Sequence, residues 1–143
     1  MIDQIMQCLN DKLLTINGVS TVAYGFSDDI FRVYGSTPTS FPRIEFELLS
    51  DSDQPEANTC QEVDAVFGIA VHLKDDTTKE SIANGKDVAN MAKDVRQALY
   101  KLQSESTFPE DARVTMSVNI SYYKRSTLNG AAIEVSFSYS QNI

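Results

Sequence analysis

The sequence predicts an α+β fold, with a mostly antiparallel sheet of about five strands and two helices packed on one face. The first observation is the alternation of apolar and other side chains over residues 63–74, which indicates a central strand with one buried face. Other segments alternate in the same way, and two segments repeat apolar side chains at helical spacing. The predicted order of elements is therefore α-β-β-β-α-β-β.

The chain begins with a predicted amphipathic helix over residues 2–16. Its apolar side chains recur at steps of three and four, at Ile2, Ile5, Met6, Leu9, Leu13 and Ile16. The dipeptide Asn17-Gly18 ends this helix, because both residue types tolerate the left-handed conformation that closes a helix. Residues 19–25 then form a short strand.

A connection and a second strand follow. Residues 26–41 have no regular period, and we expect Phe31 and Tyr34 there to pack as a small satellite of the core. Residues 43–50 alternate again, with Ile44, Phe46 and Leu48 on the buried face and Arg43, Glu45 and Glu47 on the other.

Residues 51–62 (DSDQPEANTCQE) are predicted to form a mobile acidic loop between the second and third strands. They hold four carboxylates, one Pro and no large apolar side chain. Three of the carboxylates match positions of a calcium-binding loop, but Pro55 and Glu56 stand where that loop needs a ligand and a Gly. We therefore expect no bound metal there.

The second helix is predicted over residues 86–103, where charged residues fill the exposed face. Thr77 and Glu80 have the spacing of a capping box, so the helix could instead begin near Thr78. That longer helix would contain Gly85 at a cost of about 1 kcal/mol. The 18 residues of the shorter version span about 27 Å, enough to cross about five strands.

Two alternating segments, residues 113–123 and 131–139, are predicted to form a final hairpin, with Tyr122 among the inward side chains. A loop of about seven residues joins them, with Leu128-Asn129-Gly130 in the turn and the Lys124-Arg125 pair projecting. The outer face of the sheet is rich in small and polar residues. It suits either an assembly surface or an ordinary solvated face.

Length and charge bound the possible functions. The 143 residues suit a single domain over residues 1–143. A net charge of -8 disfavours phosphate backbones and anionic membranes as direct partners.

No apolar run approaches the roughly 20 residues of a membrane span, so we expect a soluble protein. Cys8 and Cys60 form no disulfide framework, and we expect both to be reduced.

No catalytic pattern stands out in the sequence. The single histidine, His72, lies in mid-strand, and we expect it to be half exposed. The chain lacks a G-x-S-x-G motif, a phosphate loop, a GxGxxG turn and a His or Cys cluster at metal spacing. We therefore expect no enzyme, no cofactor and no metal. The alternative from another class is a small ligand-binding or hydrolytic domain that uses His72 and neighbouring carboxylates.

A local phrase and the order of elements carry a family resemblance. The phrase is FPRIEFEL at residues 41–48, followed by an acidic segment. The N-terminal helix closing on Asn17-Gly18-Val19 and a second helix ending in the phrase VRQAL, residues 95–99, fit the same pattern. Over nearly its whole length the chain resembles the tail terminator (tail completion) family of tailed bacteriophages.

The resemblance implies a ring, typically a homo-hexamer, that caps the tail tube, stops its polymerisation and meets the head connector. Its partners would be copies of itself, the tail tube protein and the head-completion or connector protein, with no membrane and no sequence-specific nucleic acid. DNA would only pass through the lumen, whose negative charge would let it slide. The implied location is the virion tail at the head-tail junction, after synthesis in the bacterial host cytoplasm. Another head-tail joining or adaptor (neck) protein is the alternative.

Partner contacts are expected in the polar segments at the two ends of the central strand and at the hairpin tip, because loops carry binding residues more often than cores do. The candidate residues are Asp51, Asp53, Glu56, Glu62, Asp75, Asp76, Lys79, Lys124 and Arg125.

Overall fold

A computed structural model describes residues 1–26, 40–57, 60–125 and 128–142, with the side chains of residues 53–57, 60–61, 116–119, 125 and 141–142 excepted. The elements in order are α1 (Ile2–Leu14), β1 (Thr21–Tyr24), β2 (Arg43–Ala57), β3 (Cys60–Lys74), α2 (Ser81–Leu102), β4 (Arg113–Arg125) and β5 (Leu128–Asn142). The predicted α+β class is confirmed. The positions of Phe31 and Tyr34 lie outside the described residues.

The described strands form one mixed sheet in the order β1-β2-β3-β5-β4. β1 runs parallel to β2, and every other neighbouring pair is antiparallel. The predicted central strand, β3, lies in the middle of this sheet. Parallel neighbours need a crossover, and residues 25–42 supply the connection between β1 and β2.

The core lies between one face of the sheet and the two helices, as the alternation predicts. The aromatic rings of Phe67 and Phe137 meet edge to face, with their centroids 5.6 Å apart. The helices contribute fully buried side chains to the same cluster, namely Ile5, Leu9, Leu13, Val95, Leu99 and Leu102. None of the described helices has the length and apolar content that a membrane crossing requires.

The predicted loop over residues 51–62 is wrong, because β2 continues to Ala57 and β3 begins at Cys60. β3 also pairs with β5 over this length, up to Cys60 opposite Asn142. Backbone hydrogen bonds on both sides of β3 therefore hold the segment as strand without an apolar face. Alternation detects a strand only where one face is buried.

The predicted seven-residue loop of the last hairpin is also wrong. β4 runs to Arg125 and β5 begins at Leu128, so Lys124 and Gly130 are strand residues. Leu128 is buried, which explains why the strand begins earlier than its polar neighbours indicate. Tyr122, predicted to be inward, is 56% exposed because it lies on the edge strand.

A bulge in β2 changes which side chains face the helices. Leu48 is opposite Phe67 and Ser50 is opposite Val66, so Leu49 is an extra residue. Leu49 lies on the outer face, where its Cγ would be 3.3 Å from a Cβ added at Gly68. After the bulge the alternation of β2 is inverted.

Helix α2 begins at Ser81, so it contains Gly85, and the shorter prediction from residue 86 is wrong at this end. Asn84 explains the earlier start, because its side chain donates to the carbonyl of Asp76 at 3.0 Å and accepts from the Asp76 N–H at 3.1 Å. The predicted capping box is absent at this N-terminus, where the cap residue Glu80 makes no side-chain capping bond. Helix α1 ends at Leu14, and Gly18 beyond it has φ 88°.

Candidate functional site

A network of polar side chains crosses the outer face of the sheet near the end of β3. The register aligns Arg43, His72, Gly130 and Tyr123 on four neighbouring strands. Nε2 of His72 is 3.0 Å from Oε1 of Glu45, and Nε of Arg43 donates to Oε2 of Glu45 at 3.1 Å. Nδ1 of His72 is hydrogen-bonded to the hydroxyl of Tyr123. The network thereby joins β2, β3 and β4.

Gly130 allows Tyr123 to reach His72 across the intervening strand β5. A Cβ added at Gly130 would overlap the phenol ring of Tyr123. This glycine, predicted to serve a turn, is instead required for the close approach of a side chain to the backbone. In a sequence, a glycine in a strand interior opposite an aromatic residue is the signal that the aromatic side chain lies over the glycine's strand.

The prediction that His72 is half exposed is wrong, because its side chain is 1% exposed and so is that of Glu45. Both imidazole nitrogens are engaged, one by a carboxylate and one by a phenol. Burial, together with the negative charge of Glu45, raises the pKa of Tyr123, which keeps the phenol protonated. A cavity of about 480 Å³ beside the network is lined by Tyr123, Lys124, Asn129 and Gly130 among others, and His72 is not part of its wall. The geometry therefore favours a structural role for His72, which links β2 and β4 through Glu45 and Tyr123.

The other end of the sheet carries what we call the acidic projection, residues 51–57, 60–64 and 138–142. β4 begins at Arg113 opposite Ser138, whereas β3 and β5 stay paired as far as Asn142. β2, β3 and β5 therefore continue beyond the start of β4. The projection holds five carboxylates and no Lys or Arg.

Hydrogen bonding and burial organise the base of the acidic projection. Ser138 donates to Oδ1 of Asp64 at 2.6 Å, while Asp51 and Glu62 are exposed. Burial, with the charge of Asp51 as a second cause, raises the pKa of Tyr139. A cavity of about 260 Å³ is lined by Glu62, Asp111, Arg113, Ser138, Tyr139 and Ser140.

The predicted partner-binding residues fall into two separate groups. Asp51 and Glu62 belong to the acidic projection, as do Asp53 and Glu56, whose side chains lie outside the description. The second group lies at the opposite end of β3 and comprises Asp75, Asp76, Lys79, Lys124 and Arg125, the side chain of Arg125 again lying outside the description. The structure does not bring the two groups together.

The described members of the second group bind one another and near neighbours. Lys124 forms an ion pair with Asp75 at 3.3 Å, and Lys79 forms one with Asp87 at 2.9 Å, which raises the pKa of Lys79. The side chain and backbone of Thr78 both donate to Asp76 and lower the pKa of that carboxyl. These charges therefore have partners within the chain.

Neither the models of known protein families nor the curated proteins include a match to this chain.

Proposed function

We propose that this chain is a structural assembly protein of a tailed bacteriophage, of the tail terminator type. Copies of it form a ring, a homo-hexamer, that caps the tail tube and meets the head connector. The resemblance in element order motivates this proposal, and the α+β fold with both helices on one face of the sheet agrees with that order.

The acidic projection is the observation that carries the proposal. It continues three strands past the start of β4, and its sequence over residues 51–62 holds no large apolar side chain. A polar strand extension contributes little to the burial that stabilises a lone domain. Its paired backbone keeps it extended, so it can reach a neighbouring subunit. We infer that the projection serves assembly.

The strand edges suit the same role. Among the described strands, β1 and β4 lie at the two edges of the sheet, and β4 is 13 residues long. Edge strands are templates for pairing with another chain unless they are protected. A stable contact between ring neighbours would bury more than about 1,000 Å².

The engaged histidine gives less support to a hydrolytic alternative. A general base must reach the proton that it abstracts from a substrate, whereas the side chain of His72 is 1% exposed. Tube capping distinguishes a terminator from another neck protein, because only a terminator limits tube length.

The proposal is tested by the mass and shape of the purified protein. We expect native mass spectrometry to find a six-fold multiple of the 15.9 kDa chain, and negative-stain microscopy to show rings, alone or with tube protein. A variant that replaces residues 53–61 with a short Asn-Gly turn should keep its thermal unfolding transition but lose the rings. A wild-type chain that stays monomeric even with tube protein present would contradict the proposal.

A further inference from the structure

The layer of helices leaves the inner face of the edge strand β4 partly uncovered. Two apolar side chains of β4 on this face show it, since Ile120 is half-buried and Tyr122 is 56% exposed. Their partners on the neighbouring strand β5, Ile133 and Ala131, are buried in the core. The sheet therefore extends one strand beyond the helices that cover it.

A trough runs between α2 and β4 along this uncovered strip. At one end of it lies the cavity of about 480 Å³, whose walls include Gly85 and Ala89 of α2 and Tyr122 of β4. At the other end, the backbone N–H of Val114 donates to the side chain of Gln103 at 3.4 Å. The helix and the strand therefore run side by side in opposite directions. We call the surface between these five residues the α2–β4 trough.

The wall of the trough beside the cavity is made of small residues. Gly85 and Ala89 are about one turn apart on α2, and a Cβ added at Gly85 would point into open space. Small residues at this spacing let another helix approach at the short end of the roughly 8–10 Å range of interaxial distances. The trough thus has space for the side chains of a second helix beside α2.

The rim of the trough on α2 is cationic, although the chain has a net charge of -8. Lys86, Lys93 and Arg96 lie within about 60° of Ala89 around the helix axis, whereas the two carboxylates of α2 lie at least about 140° away. Within the described part of the chain, these three cations take part in no ion pair. Uncompensated cations on an acidic protein indicate an acidic partner.

We propose that the α2–β4 trough binds an acidic amphipathic helix of another protein. The apolar stripe of that helix would fill the cavity and cover Tyr122, and its carboxylates would face the three cations of α2. From Gly85 to Gln103 the trough is about 27 Å long, which matches a helix of about 18 residues. Tyrosine is enriched among the residues that dominate interface energies. The contact goes beyond the proposed ring and does not depend on it.

An extended strand is the other element that could dock beside β4. It would pair with the outward edge of β4, where the register with β5 shifts between Met116 and Ile120. The longest uninterrupted ladder there covers residues 120–125. An added strand would also lie at the level of the sheet, away from the cations of the helix layer. A helix in the trough contacts both the cavity and the cations.

A second copy of this chain has no described helix to offer. The apolar stripes of both described helices already lie in the core, where Leu9 and Leu13 of α1 and Val95 and Leu99 of α2 are fully buried. The helix that occupies the trough therefore belongs to a different protein.

Duplex DNA is another polyanion that the cations of α2 could attract. The net charge of -8 repels phosphate backbones at long range. DNA on the cations would also leave the apolar floor at Tyr122 exposed to water. The observations therefore favour an acidic helix, and DNA enters the test as a competing outcome.

The test uses a synthetic amphipathic peptide of about 18 residues, built from Leu, Ala and Glu, with Leu at helical spacing on one side and Glu along both flanks. Fluorescence anisotropy of the labelled peptide measures binding at about 50 mM salt, where surface charges are little screened. We expect saturable binding to the wild-type chain, and circular dichroism should show that the bound peptide is helical. A peptide of the same composition in scrambled order should bind at least about tenfold more weakly.

A charge placed on the wall of the trough tests the site. Ala89→Glu should weaken binding of the acidic peptide at least about tenfold, because the new carboxylate faces those of the peptide. Gln4→Glu is the matched control, with the same change in net charge at an exposed position of α1. It should bind within about twofold of wild type. Both positions are exposed, so both variants should keep the thermal unfolding transition of the wild type.

A charge swap tests the role of the cations. Lys86→Glu/Lys93→Glu should lose the acidic peptide at least about tenfold and should bind a peptide in which Lys replaces every Glu. That gain also shows that the variant is folded. Lys74→Glu/Lys101→Glu, its control, changes the net charge equally at exposed positions away from the trough and should keep the preference of the wild type.

Several results would overturn the proposed site: no binding of the acidic peptide by the wild type, equal binding by Ala89→Glu and Gln4→Glu, a bound peptide that is not helical, or duplex DNA of similar length that binds more tightly than the peptide. Loss of self-association in Ala89→Glu, measured by sedimentation velocity, would assign the trough to a second copy instead. The ring proposal is judged separately, since rings of the wild type do not require an occupied trough.

Discussion

At the scale of single residues, one glycine decides how the outer face is connected. The ring of Tyr123 occupies the space over Gly130, and this position gives its hydroxyl access to His72. His72 in turn contacts the carboxylate of Glu45, which also accepts from Arg43. A buried carboxylate needs such partners, since an unpaired buried charge is strongly destabilising. The hydrogen bonds therefore keep β4 fixed relative to β2 and β3.

Gly130→Ala is expected to destabilise the protein by about 1–3 kcal/mol, because the added methyl displaces Tyr123 from a packed site. Urea unfolding measures the change. Gly85→Ala is the matched control, since nothing lies within 4 Å of its added Cβ. Alanine in that helix should instead stabilise by about 0.5–1 kcal/mol. Equal unfolding free energies for Gly130→Ala and wild type would contradict the packing of Tyr123 over Gly130.

At the level of helices and strands, the sequence predicts the strand segments that bury one apolar face. It misses the strand segments that bury none. Residues 63–74 were identifiable as strand because Phe67, Ile69 and Val71 alternate with smaller or polar residues. The extension of β2 and β3 over residues 51–62 has no buried apolar face, so its strand character depends on pairing with β5. Pairing between distant segments leaves no local period to read.

The start of α2 shows a second limit of local patterns. Gly85 and the polar residues before it indicate a later start, but two hydrogen bonds between Asn84 and the backbone of Asp76 hold the first turn. The burial of His72 was unpredictable for a related reason. Alternation assigns a residue to a face but does not show what covers that face.

Asn84→Ala should therefore loosen the beginning of α2, although alanine has the higher helix propensity. The loss of two hydrogen bonds at a buried side chain should destabilise by about 1–2 kcal/mol. Hydrogen exchange should accelerate in the first two turns of the helix more than in the last two. Asn90→Ala, at an exposed position of the same helix, is the control and should leave exchange unchanged. Unaltered protection after Asn84→Ala would refute this account of the helix start.

At the scale of the whole molecule, the charges are separated rather than mixed. The acidic projection carries five carboxylates, while α2 has four cations against two carboxylates. Helix α2 and the acidic projection thus carry net charges of opposite sign. The fold alone would support many functions, so the proposal depends on these surfaces.

We propose that rings of this chain cap a phage tail tube. This proposal predicts a change in the length distribution of tubes in negative-stain micrographs, with tube protein polymerised in the presence and absence of the purified chain. We expect added chain to stop growth and to leave a ring at one tube end. Tubes that grow to the same lengths, with bare ends, would contradict the claim.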